Sequence, residues 1–160
     1  MLRKQILGSS TSAPSRRGAE KDVAAIATVL VSSEDPHHPI DNAFDDRRGA
    51  GGSRWIAQQP GEQTVIVAFD TAQSLRRVSI DVEEPHVSRT QELAVSVSDD
   101  GGHTYRDLVR QEYNFSPPGT TFEHEDWSIH ADRVSHLRVV IKPDKGEKLA
   151  RATLTTLALE

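Results

Sequence analysis

The chain has no cysteine, which excludes disulfides, thiolate nucleophiles and every zinc site built on thiolates. It has no surplus of positive charge. Its 19 Lys and Arg stand against 24 Asp and Glu, a net charge of −5, and such a surface repels a polyphosphate backbone, so no nucleic acid partner is expected. No apolar run approaches the roughly 20 residues of a membrane-crossing helix, and no membrane association is expected. There is no HExxH, no heptad, no internal repeat and no long stretch of helical periodicity. Residues 49–53 read GAGGS without the lysine and following helix of a phosphate loop, so these glycines are expected to form a mobile rim.

Secretion signals are missing as well. The start, MLRKQILGSSTSAPSRRGAEKD, offers only Ile6 and Leu7 where an apolar core of roughly 7–15 residues is needed. Arg16 and Arg17 resemble a twin-arginine leader, but Glu20, Lys21 and Asp22 interrupt it and residues 32–34 form no small-residue cleavage site. The expected location is cytoplasmic. Gly8 to Gly18 contains almost no large apolar side chain and cannot offset its ordering entropy. Residues 1–20 are therefore read as a flexible tail and residues 21–160 as one domain, in keeping with 160 residues and 17.6 kDa.

What is present has a period of two. Val65, Val67 and Phe69 alternate with Ile66 and Ala68, so this strand is expected to be covered on both faces. Val78, Ile80 and Val82 alternate with Ser79, Asp81 and Glu83, and Leu93, Val95 and Val97 alternate with Ala94, Ser96 and Ser98. Each of these has a dry face and a wet face. Leu137, Val139 and Ile141 repeat the pattern, and the change of parity from Leu154 to Leu157 predicts a bulge. Turn compositions separate the runs at residues 99–102, 117–119 and 143–146, and Asp41 to Phe44 can form one helical turn. Short strands between Gly, Pro and Asp turns predict an all-β chain, a β-sandwich or jelly roll.

Particular residues then carry a resemblance. Ser32-Ser33-Glu34, Pro39, Asn42-Ala43-Phe44-Asp45-Asp46 and Ser53-Arg54-Trp55 stand in that order. After them come the strands Glu62 to Asp70 and Leu75 to Val82 joined by Thr71 to Ser74. Ser98-Asp99-Asp100-Gly101-Gly102-His103-Thr104-Tyr105, His136-Leu137-Arg138-Val139-Val140-Ile141 and Ala150 to Leu159 follow. This succession, over residues 23–160, resembles the discoidin or coagulation-factor type C domain family. The resemblance implies a galactose-binding-like jelly-roll β-sandwich of about eight main antiparallel strands. It also implies a structural calcium site near the first loop. Asp45 and Ser53 match part of that ligand set and Asp46 adds an oxygen. Asp46 stands where the family has glycine, and Thr156 stands where many members have a glutamate, so the site is expected to be weak or empty.

No catalytic residue is expected. Ser98, Asp99 and His103 have the residue types of a triad, but the hairpin turn accounts for them. Adjacent His37 and His38 would point to opposite faces of a strand, and the seven histidines lack ligand spacing. Glu123, Glu125 and Asp126 read as a solvated loop. Trp55 is expected in the core and Trp127 to be an exposed aromatic. The leading expectation is a noncatalytic carbohydrate-binding module without a cofactor, because loops on a rigid sandwich display ligands and the resemblance implies that they often hold a sugar. The candidate residues are His37, His38, Arg47 and Arg48 with Asp46 on loop one, His86 and Arg89 on loop two, and Asn114, Phe115 and Trp127 on loop three. Arg, His, Asn and an aromatic suit the hydroxyls and C–H face of a sugar. The alternative is a protein-interaction module of the same fold, as in intracellular relatives.

Overall fold

The computed structural model describes residues 19–146 and 149–160. The segment read as a tail lies outside the described residues except for Ala19 and Glu20. The described residues form eight strands: β1 Ala27–Val31, β2 Trp55–Pro60, β3 Gln63–Glu83, β4 Arg89–Ser98, β5 Arg106–Phe115, β6 Phe122–Lys142, β7 Arg151–Leu154 and β8 Thr156–Leu159. A four-residue helix, Val23–Ile26, precedes β1, and the turn expected after Pro39 is a 3-10 helix, Ile40–Phe44.

Every strand pairing is antiparallel. β3 and β6, at 21 residues each, are about twice as long as β4 and β5 because each serves both layers. Their pairing runs from Gln63↔Ile141 to Ala68↔His136, loses register, and resumes from Arg77↔Ser128 to Glu83↔Phe122. The two segments expected on either side of residues 71–74 are thus one bent strand, and β6 bends opposite them, with Arg133 at φ 55°. The first half of β3 and the second half of β6 join β1, β4 and β5; the other halves join β8. β2 and β7 form a separate pair. This is a jelly-roll β-sandwich.

One core lies between the layers. Val65, Val67, Leu93, Val95, Leu137, Val139 and Ile141 meet Val78, Ile80, Val82, Leu157 and Leu159, all at most 5% exposed. Ile66 and Ala68 are only half-buried, so this strand has one dry face rather than two. Trp55 is fully buried, as expected, and its indole N–H donates to the Ser33 carbonyl at 3.0 Å. Between β7 and β8 the chain breaks step at Thr155, whose N–H donates to the Asp81 carbonyl, and this produces the parity change from Leu154 to Leu157. Strands β2, β5 and the first half of β6 have no clean hydrophobic alternation, so the period-two pattern does not reveal them.

Candidate functional site

Four connections converge at one end of the sandwich, and hydrogen bonds tie them together. The β1–β2 connection meets β3 through the Gly51 N–H on Glu83 Oε2 at 2.9 Å and Arg54 Nη1 on the Glu83 carbonyl at 3.2 Å. The β3–β4 and β5–β6 connections meet through the Glu84 N–H on the Thr121 carbonyl at 2.8 Å, and the β6–β7 connection joins through the Lys145 N–H on the Thr90 carbonyl at 2.9 Å. Gly52 is required in the first of these, because a Cβ there would stand 2.8 Å from the Arg47 carbonyl oxygen.

At this end a shallow basin of about 580 Å³ opens over the tips of β4 and β5. Ser88, Thr90, Asn114, Glu112 and Lys145 line it, above Arg89 and Phe115. Strand period puts Thr90 opposite Asn114, and the Thr90 hydroxyl donates to Asn114 Oδ1 at 2.7 Å. That bond orients the exposed amide and leaves its NH₂ toward solvent. Lys145 is ion-paired with Glu112, and Asp144 accepts from the Gly146 N–H at 3.0 Å, which shapes the rim. The basin thus presents amide, hydroxyl, ammonium and carboxylate groups on a rigid sheet end, a donor and acceptor set suited to vicinal hydroxyls.

The structure places Arg89, Asn114 and Phe115 side by side, and it buries two of these ligand candidates. The Arg89 side chain is fully buried, and Phe115 is 2% exposed. Arg89 donates to Glu84 Oε1 at 2.9 Å, Gln91 Oε1 at 3.1 Å and the Pro143 carbonyl at 2.8 Å, with its guanidinium 5.7 Å from the Phe115 ring centre. Desolvation lowers its pKa against the pull of Glu84. Arg89 therefore braces its surroundings from beneath the basin and does not face solvent. His86 is exposed on the β3–β4 connection, its N–H on Glu84 Oε2 at 3.2 Å.

The other candidates stand elsewhere. His37 and His38 wrap Asp35, which also accepts from Arg151 Nη1 of β7 at 3.0 Å, so they sit against the β2–β7 pair. Arg47 is exposed. Arg48 holds Glu20 with both terminal guanidinium nitrogens, Nη1 at 2.7 Å from Oε1, and lies 3.5 Å from Asp46. Trp127 is not on loop three. It lies well inside β6, opposite Val78, half-buried against the core, because the stretch around it pairs with β3 instead of forming a loop. Residues that sequence reasoning missed are Ser88, Thr90, Glu112 and Lys145; Thr90 is signalled by standing next to Arg89, and Lys145 by its turn composition.

The calcium ligand set does not fit. Calcium takes about 6–8 oxygens, yet the Asp45 carboxylate already accepts from the Ser53 hydroxyl and from the Arg47 N–H at 3.0 Å. Asp46 faces the Arg48 cation, and Thr156 lines the same pocket as Arg48, Asp46 and Glu20. Among the described residues no group of three His, Asp or Glu side chains converges on a metal position. Asp46 adopts φ 61°, the left-handed region where glycine is favoured and Asp tolerated. Adding about 1 mM calcium should leave the melting temperature unchanged from its value in EDTA, since stabilisation vanishes when Kd far exceeds the ion concentration. A rise of several degrees, lost in Asp45→Ala, would overturn this.

The hairpin serine and histidine do not form a catalytic pair. Ser98 donates to Asp100 Oδ1 at 2.6 Å while His103 Nδ1 contacts the Asp100 carbonyl at 2.6 Å. Asp100 also accepts from the Thr104 N–H and hydroxyl, and the bonds from Ser98 and Thr104 hold its pKa far below the usual carboxylate range. The network closes a turn.

No protein-family model matches the chain, and no curated protein matches it in sequence. Solved structures do match. A family 32 carbohydrate-binding module from a family 31 glycoside hydrolase of Clostridium perfringens superposes with TM-score 0.62 at 12% identity, over 88% of this chain and 93% of that one. The family 32 module of C. perfringens NanJ, solved with galactose, gives TM-score 0.62 and 12% identity over 88% and 96%. A chitosan-binding module of a Paenibacillus chitosanase/glucanase gives 0.56 and 19% over 88% and 98%. The chain has the galactose-binding-like, discoidin-type fold.

Proposed function

We propose that the chain is a noncatalytic carbohydrate-binding module whose ligand seats in the basin over β4 and β5. The observation that carries this reading is the exposed Asn114 amide, oriented by Thr90 and flanked by Ser88 and Lys145 at the end where four connections meet. The fold agrees, since similar structures include one solved with galactose and one described as chitosan-binding. Binding without chemistry is also the role of the similar structures, which are described as carbohydrate-binding or chitosan-binding modules.

A glycan array followed by titration calorimetry tests this. Asn114→Ala should weaken binding to the best neutral glycan about tenfold, corresponding to the roughly 0.5–1.5 kcal/mol of a hydrogen bond, and leave the melting temperature unchanged because the residue is exposed. Glycan binding insensitive to Asn114→Ala removes the basin from the reading. A blank array beside specific protein capture hands the fold to protein interaction.

A further inference from the structure

The basin leaves unused a second depression at the same end of the sandwich. The end of β6 lies between β3 and β4, with Ile141 opposite Gln63 and Lys142 opposite Glu92. The connection that leaves it, beginning at Pro143 and Asp144, therefore stands as a ridge with β4 and β5 on one side and the β2–β3 turn on the other. The basin occupies the first side. On the second side a cleft of about 270 Å³ is lined by Pro60, Glu62, Lys142, Pro143 and Leu149, and Asp144 lines both depressions.

The two differ in chemistry. The cleft is walled by two proline rings and the Leu149 side chain, with Glu62 and Lys142 exposed beside them. Leu149 is 91% exposed, the most exposed large apolar side chain among the described residues. A lone surface leucine is ordinary, but one at the mouth of an apolar cleft marks a contact surface. The walls are fixed. The Gly61 N–H donates to the Ala150 carbonyl at 3.2 Å, which ties the β2–β3 turn to the residue after Leu149, and the Pro143 carbonyl accepts from Arg89 Nη1 at 2.8 Å. A preformed apolar cleft binds with little ordering cost. No aromatic ring lines it, so it offers no platform for a pyranose face. Proline and leucine walls suit an aliphatic chain, whose transfer from water is favourable without any hydrogen bond.

We propose that the cleft takes the aliphatic aglycone of a glycoside whose sugar sits in the basin, so that the ligand class is sugars carrying an alkyl chain at the reducing end and the chain crosses the ridge at Asp144. The proposal rests on reading the basin as a saccharide site. The full chain is titrated by calorimetry with methyl and hexyl β-D-galactopyranoside and with the matching glucoside pair, the hexyl compounds below their micelle-forming concentrations. A fully buried methylene is worth about a factor of four in affinity, so the hexyl member should bind at least about tenfold tighter than the methyl one. Its heat-capacity change should be the more negative, the mark of apolar burial. Leu149→Ser should bring the hexyl glycoside to within about threefold of the methyl one, Leu149→Met should keep most of the gain, and both should melt with the parent because the side chain is exposed. Asn114→Ala should weaken the methyl and hexyl glycosides alike.

Equal affinity for methyl and hexyl glycosides, or a hexyl gain untouched by Leu149→Ser, overturns the aglycone site. Capture of the protein by sugar-free phosphatidylcholine vesicles, lost in Leu149→Ser, overturns it in favour of a lipid surface. Glycan binding that depends on Asn114 while both hexyl glycosides are ignored sinks the cleft alone; failure of every saccharide sinks the proposed function with it.

Discussion

Replacing Arg89 by alanine should lower the unfolding free energy by about 3–5 kcal/mol, the range for removing one member of a buried pair. For a domain of this size that is a fall in melting temperature on the order of 10 °C. The guanidinium is fully buried, so its removal strands more than one acceptor: Glu84, Gln91 Oε1 and the Pro143 carbonyl all lose their donor. Those three belong to the start of the β3–β4 connection, to β4 and to the β6–β7 connection, so the basin should loosen together with the fold. Arg89→Lys should recover little, because an ammonium cannot reproduce the planar fork. Arg47→Ala is the control and should stay within about 0.5 kcal/mol, as exposed substitutions do. Thermal melts of the three variants decide it. An Arg89→Ala protein that melts with the parent but loses glycan binding would return Arg89 to the role of a ligand contact.

Trp55→Ala should cost about 3–5 kcal/mol by urea unfolding, the range for truncating a buried aromatic. The indole is fully buried, and its N–H satisfies the Ser33 carbonyl across the first connection. The neighbouring backbone is held from the other side, where the Thr153 hydroxyl donates to the Trp55 carbonyl at 2.8 Å. Trp55→Phe separates the two contributions, since it keeps a ring but leaves Ser33 unmatched at about 1–3 kcal/mol. Trp127→Ala should cost roughly 1 kcal/mol, because that ring is only half-buried. Equal losses for the two tryptophans would mean that Trp127 is a core residue like Trp55.

The contrast between the tryptophans marks where local reasoning stops. Trp55 is legible because Ser53 and Arg54 precede it in an ordered succession of motifs. Trp127 is misplaced by its neighbours, because Glu123, Glu125 and Asp126 read as solvent-facing and nothing in the sequence indicates that an edge strand keeps one flank open to water. Alternation alone identifies the strands whose inner faces are fully apolar, such as residues 93–97 and 137–141. It fails for β5 and the first half of β6, where Gln111, Glu123 and Glu125 stand at inward positions beside an unpaired edge. The Leu154 to Leu157 step is visible because period two tolerates no unmarked slip.

By itself the sequence determined the all-β class, and the order of its motifs, through the resemblance, implied the jelly-roll layout and the burial of Trp55. The class follows from side-chain period and residue type, which are local; the layout and Trp55 follow from the resemblance alone. Only the tertiary structure decided that Arg89 lies beneath the basin rather than in it, that Arg48 is spent on Glu20, and that Tyr113 is buried. A guanidinium in a loop has the same composition whether it meets solvent, a glutamate 28 residues away or a carbonyl 54 residues away. Which one it meets is set by how β3 and β6 fold over, and that depends on long-range pairing that no local pattern encodes.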